Sequence, residues 1–230
     1  MRGENKDPMR IKACIFDLDG VIVDTAKYHF LAWKRLADML KIHFTEKDNE
    51  RLKGVSRMAS LDIILEIGKM RLDDSLKEKY ASLKNKWYTD YISRMTSAEI
   101  LPGSVEFIRE LKNAGIKVAL GSASKNTPMI VKRVGMDNLF DAVADGNIVR
   151  NAKPDPEVFI TAAKMIEVPP ENCVVFEDAA AGIEAAINAG MLCVGIGSEI
   201  ILKKADIVVS GLNKINLKRL MELEKTVNHE

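Results

Sequence analysis

The chain has 230 residues, 47% hydrophobic and 29% charged, which suits one large globular domain or a domain carrying an insertion. Lys and Arg total 34 against 33 Asp and Glu, and a net charge of +1 gives no basis for nucleic acid or an anionic membrane as a partner. The three cysteines lack a C-x-x-C pair, which argues against a disulfide framework or a zinc site.

Residues 1–10, MRGENKDPMR, are polar and lack the apolar stretch of a secretory signal. They read as a loose tail with Met9 as an alternative start, and the chain is expected to be cytoplasmic. Residues 11–17 form an apolar run ended by turn residues, which predicts a buried strand. Residues 26–96 then show no convincing strand. Helical periodicity covers 28–40, 58–70 and 75–95, which predicts a helical insertion, with Trp33 and Trp87 as packing residues.

From residue 100 the two periods alternate. Helices are predicted at 104–115, 127–135, 156–166, 179–190 and 216–227, and strands at 116–122, 142–145, 172–178, 191–197 and 206–210. Gly115 and Gly190 suit helix C-termini, and Pro128 suits a first turn. The apolar stretch 179–197 is broken by Glu184, Asn188 and glycines, so it reads as helix then strand and not as a membrane span. Cys14, Cys173 and Cys193 each sit in a strand-like run and are expected to be buried thiols in a reducing compartment. Alternation of this kind predicts an α/β fold, a parallel sheet with helices on both faces. Such sheets bind ligands beyond the carboxyl ends of their strands.

The polar residues at those ends form a set. FDLDG supplies Asp17 and Asp19, LGSASKN supplies Ser122, VVFEDAAAG supplies Glu177 and Asp178, and NAKPDPEVF supplies Lys153. Each has an ordinary alternative. D-x-D-G is a common turn, Ser122 suits a turn, Lys153 suits a solvated surface, and Asp178 suits a helix cap. At these strand ends, in this order, they read together as one site. Four carboxylates repel one another unless a cation intervenes. Oxygen ligands without His or Cys favour Mg²⁺ over zinc or copper. A hydroxyl, backbone amides and an ammonium beside Mg²⁺ make a phosphate cradle. One aspartate can then act as nucleophile, and one two residues on can act as general acid and base.

This set of motifs resembles the haloacid dehalogenase superfamily, from about residue 10 to 225. The resemblance implies a Rossmann-like core (1–24 and 97–230) with an inserted helical cap (25–96). It implies Mg²⁺-dependent phosphoryl chemistry on an aspartyl nucleophile, since an aspartate stands at position 19. Within the superfamily, TAKYHFLAWK (25–34), LKGVSR (52–57), LKNKWY (83–88) and GSASKN (121–126) are similar to the beta-phosphoglucomutases. That family implies Asp17 as nucleophile, Asp19 as acid and base, and Thr25 and His29 at the hinge and entrance of the cap. Lys153 would neutralise charge, and Asp17, Asp19, Glu177 and Asp178 would sit at the metal. Lys53, Gly54, Val55, Ser56 and Arg57, with Lys84 and Asn85, would hold the sugar phosphate from the cap. Ser122, Ala123, Ser124, Lys125 and Asn126 would hold phosphate from the core. A guanidinium fork at Arg57 suits a second phosphate, although a surface arginine fits that position equally.

The expected function is interconversion of beta-glucose 1-phosphate and glucose 6-phosphate, with beta-glucose 1,6-bisphosphate as priming intermediate. A sugar-phosphate phosphatase and a non-catalytic phosphometabolite-binding regulator are the alternatives. The expected partners are small sugar phosphates, with no nucleic acid and no membrane, and the chain is expected to be a monomer. The loop 146–154 has a sequence of its own, which leaves fine substrate tuning open.

Overall fold

The structure, a computed structural model, describes residues 10–227; of the expected tail 1–10, residues 1–9 lie outside them. Six parallel strands form one sheet in the order β3-β2-β1-β4-β5-β6. They are β1 (Ala13–Phe16), β2 (Lys117–Gly121), β3 (Ala142–Ala144), β4 (Cys173–Glu177), β5 (Leu192–Ile196) and β6 (Ile207–Val209). β1 lies between β2 and β4, with Cys14 opposite both Val118 and Val174. The crossovers put α5 (Ser104–Asn113), α6 (Thr127–Arg133) and α9 (Leu217–Val227) on one face, and α7 (Glu157–Met165) and α8 (Ala180–Asn188) on the other.

Strand alternation divides the core. Cys14, Phe16, Val174 and Phe176 point into one apolar cluster, and Ala13, Ile15, Cys173 and Val175 into the other. Both faces are covered, so the strands read as continuous apolar runs, not as alternating ones. Phe16 and Phe176 stack at 4.5 Å between ring centroids. All three cysteines are buried free thiols. No helix among the described residues is long and apolar enough to cross a membrane.

The chain leaves the sheet after β1 and returns at α5. Between them lie α1 (Ala26–Met39), α2 (Glu46–Asn49), α3 (Arg57–Ile67) and α4 (Asp74–Ile92). The apolar faces of α1, α3 and α4 meet in a third cluster that includes Trp33, Leu36, Phe44, Leu61, Ile64 and Ala81. The outgoing and returning segments are bonded together: Asp24 N donates to Glu99 O (2.8 Å) and Leu101 N to Ile22 O (2.9 Å). Two predicted helices end early. α3 stops at Ile67, followed by Gly68 and by Lys69 at φ 49°, and α4 stops at Ile92 with Ser93 as its C-cap. The short α2 escaped the periodicity because four residues make barely one turn; its signal was the Thr45–Asp48 capping box.

Candidate active site

The carboxyl ends of β1, β2 and β4 open into a cleft of about 750 Å³, roofed by α1, α3, α4 and the segment before α3. Every sequence-predicted site residue except Thr25 lines it. Thr25 sits beneath, fully buried at the N-cap of α1, and its hydroxyl donates to Asp19 instead of capping the helix.

Asp17 follows β1 directly, and its N–H extends the ladder to Phe176 O (2.9 Å). Ligand oxygens of Asp17, Glu177 and Asp178 lie within 4.8 Å of one another. Glu177 Oε1 accepts from Asp178 N (3.1 Å) and Ala179 N (3.0 Å), and Oε2 accepts from Lys153 Nζ (2.8 Å). Lys153 also donates to Asp17 and stands 4.8 Å from the centroid of the Phe159 ring. At 3% exposure it is no solvated surface lysine. Nor does Asp178 cap α8, which has Ala179 at its N-cap and no side-chain capping bond. Ser122 serves both readings: it is buried in the cleft wall and accepts the turn bond from Ser124 N (3.2 Å).

Asp19, the fourth residue expected at the metal, directs its side chain elsewhere. Its carboxylate stands outside the three-carboxylate group and accepts from the Thr25 hydroxyl. Gly20 adopts φ +82°, and a β-carbon there would stand 2.3 Å from Asp178 Oδ2. Both facts require glycine. A second glycine shapes the group from α8, where a β-carbon on Gly182 would stand 2.0 Å from Glu177 Oε2.

Burial raises the pKa of every carboxyl whose shift is resolved here. Glu177 is pushed up to about 7 by burial and by Asp17, against the pull of Lys153. Asp178 is raised well above the carboxylate range by burial, then by Glu177 and Asp17. Asp19 rises to about 6 through burial and the charge of Asp17, with the Thr25 hydroxyl opposing. Burial also works against the charge on Lys153, but Asp17 and Glu177 outweigh it and hold its pKa above the ordinary value. One ammonium thus faces three crowded carboxyls. All-oxygen donors at this spacing, two of them with pKa raised by burial and like charge, fit a hard divalent metal ion.

The roof is cationic. Lys84, 2% exposed, lies 3.1 Å from His29 Nδ1 and within 4.5 Å and 4.7 Å of the Trp33 and Tyr88 ring centroids. Burial, then Arg57, lowers its pKa to about 7. His29 is held neutral by burial, then by Lys84 and Arg57. Arg57 opens α3, whose N-cap Ser56 spends its hydroxyl on Ala59 N (3.2 Å). Two contacts join roof to floor: Asn126 Nδ2 donates to Asn85 Oδ1 (3.1 Å), and Lys53 Nζ lies 3.7 Å from Asp178 Oδ2.

Residues 11–190 match the family model described as a haloacid dehalogenase-like hydrolase. The chain belongs to the haloacid dehalogenase-like hydrolases. Within that family it is 44% identical to the beta-phosphoglucomutase of Bacillus subtilis over 214 residues, 92% of this chain and 95% of that protein. It is 32% identical to the phosphorylated carbohydrates phosphatase of Thermotoga maritima, over 79% of this chain and 82% of that one. The crystal structure of a beta-phosphoglucomutase from Clostridium difficile superposes with a TM-score of 0.91 at 42% identity, covering 96% of this chain and all of that one.

Sequence reasoning missed several lining residues of this haloacid dehalogenase-like cleft. Trp33 was read as packing and is both buried in the insertion and exposed to the cleft wall. Asn49, Ser60, Glu78 and Arg150 also line it. None stands at a strand end, and helical spacing alone does not say which face of the insertion looks down.

Proposed function

We propose that the chain is a beta-phosphoglucomutase, interconverting beta-D-glucose 1-phosphate and glucose 6-phosphate. In this reading α1–α4 form a cap (25–96) on a core (1–24 and 97–230), and Asp17 carries the phosphoryl group. The C6 hydroxyl of beta-glucose 1-phosphate attacks the phosphorus on Asp17. The bond from phosphorus to Asp17 breaks, and Asp19 takes the hydroxyl proton. The resulting beta-glucose 1,6-bisphosphate turns over in the cleft. Asp17 then attacks the C1 phosphate, and Asp19 returns the proton to the departing C1 oxygen. Asp17, Glu177 and Asp178 would hold Mg²⁺, which when bound neutralises charge between the nucleophile and the phosphoryl group.

Lys153 and Ser122 hold the reacting phosphate at the core, while Arg57, Lys125 and Asn126 hold the one that is not reacting. Thr25 orients Asp19. His29 and Lys84 close the wall beside it. The observation that carries the proposal is Arg57, a guanidinium on the insertion that lines the same cleft as Asp17. A mutase must grip a second phosphate in both orientations, whereas a phosphatase needs no such grip.

One assay tests it. Beta-glucose 1-phosphate is supplied with Mg²⁺ and a trace of bisphosphate, and glucose 6-phosphate and free phosphate are followed together. Glucose 6-phosphate should form with little free phosphate. Stoichiometric free phosphate would replace the mutase with a phosphatase, and no turnover would leave a binding protein.

A further inference from the structure

The three carboxyls of the floor share their ammonium partners unevenly. Lys153, buried beneath them, pairs with both Asp17 and Glu177. Asp178 pairs instead across the cleft, with Lys53 Nζ of the roof at 3.7 Å from its Oδ2. Lys53 holds a second carboxylate in reserve, Glu50 Oε2 of its own segment at 3.0 Å. A further contact seats that segment on the floor. A β-carbon on Gly54, the next residue, would stand 3.1 Å from Ala179 Cβ, at the N-terminal end of α8 and one residue beyond Asp178.

We infer that Lys53 is a latch in competition with the metal: in the metal-free protein its ammonium serves Asp178 where a divalent cation would, and metal binding frees the roof from the floor. Both cations seek the same carboxylate, and two cations a few ångströms apart repel each other. Of the two partners Lys53 is the one able to leave. Its side chain is 30% exposed against 14% for Asp178, and Glu50 remains to receive it. Lys153 has no such freedom, since it is buried and donates to two carboxylates at once. Coupling of this kind is reciprocal: a docked roof weakens metal binding by the factor by which bound metal weakens docking. Metal alone should then open the cleft to a ligand, and the phosphates draw the roof back.

The inference rests on the Mg²⁺ reading of the three carboxyls, and holds for a mutase or a phosphatase alike. Its test is Lys53→Met, which keeps the stem and removes the charge, in calorimetric titration of the substrate-free chain with Mg²⁺. Affinity should be at least about fivefold tighter than in wild type. Lys53→Arg, which keeps the charge, and Lys47→Met, which removes an exposed charge from α2, should stay within about twofold of wild type. Dyes on Leu31→Cys in α1 and Met165→Cys in α7, both exposed positions in a chain whose own cysteines are buried, report the distance from roof to floor. Mg²⁺ should lengthen it with Lys53 present and leave it unchanged in the Lys53→Met background. Equal Mg²⁺ affinity in wild type and Lys53→Met would overturn the inference and leave the metal site standing. So would equal tightening in Lys53→Arg, or a distance that ignores Mg²⁺ in both backgrounds. If wild type binds no Mg²⁺, the metal reading fails and the latch with it.

Discussion

Gly182→Ala sets two effects of opposite sign against each other. In an ordinary helix interior, alanine in place of glycine gains about 1 kcal/mol. In α8 the new β-carbon would stand 2.0 Å from Glu177 Oε2. Glu177 has nowhere to swing. It is 1% exposed, two backbone amides hold Oε1, and Lys153 holds Oε2. Displacing it breaks a buried ion pair, which costs about 3–5 kcal/mol. The clash should win, with a net loss of about 2–4 kcal/mol that lowers Tm by about 5–15 °C. The measurement belongs at pH 8, above the pKa of about 7 for Glu177, so that the pair is ionised. Urea denaturation of the metal-free protein gives the stability. Calorimetric titration with Mg²⁺ should show affinity at least tenfold weaker, because a carboxylate ligand has moved. Stabilisation by about 1 kcal/mol with an unaltered Mg²⁺ titration would show that Glu177 relocates freely and that Gly182 is not there to admit it.

Four further outcomes are expected. Asp17→Asn should abolish turnover with circular dichroism unchanged, and near wild-type activity would remove the covalent step. A chelator should stop turnover and added Mg²⁺ restore it; full activity in excess chelator would count against the three-carboxylate site. Arg57→Ala should lower mutase flux at least about tenfold, equivalent to 1.4 kcal/mol, while acetyl phosphate hydrolysis changes far less. Lys84→Met should stabilise the ligand-free protein below pH 7. The folded Lys84 pKa of about 7 lies below the ordinary 10.5, so wild-type stability climbs with pH between the two; the variant should lose that slope in denaturation series at pH 6–9, and an unchanged slope would refute the buried charge.

The fold was legible because the sheet is buried on both faces. Each strand then reads as an apolar run, and each helix between them as a 3.6-residue period. The floor of the site followed, since crossovers put Asp17, Ser122 and Glu177 at one sheet edge whatever the details. Fine aim was not legible. The spacing of Asp17 and Asp19 suggests side chains on one side, yet Asp17 joins Glu177 and Asp178 while the Asp19 side chain meets Thr25. Thr25 and Ser56 both stand at the N-cap of a helix. Ser56, in extended backbone, caps its helix, and Thr25, already helical, donates to Asp19 instead. The roof was least legible. α2 is too short for periodicity, so Asn49 carried no signal beyond a polar residue in a polar stretch.

The electrostatics of the cleft favour closure around a ligand with two phosphates. Roof and floor attract through Lys53 and Asp178, 3.7 Å apart. Within the roof, Arg57 lowers the pKa of both Lys84 and His29, so positive charges there oppose one another while no anion is present. In the floor the imbalance is reversed, with one ammonium among three carboxyls. A phosphate at the roof relieves the first strain, and a phosphate with its metal ion at the floor relieves the second. A ligand with one phosphate would relieve one end and a bisphosphate both, so in the proposed function differential binding would favour a closed state most with the intermediate inside. In the proposed mechanism, closure would exclude water at the stage where Asp17 carries a phosphoryl group. Arg57→Ala should therefore weaken closure as well as grip, lowering kcat together with raising KM, whereas loss of grip alone would raise KM only.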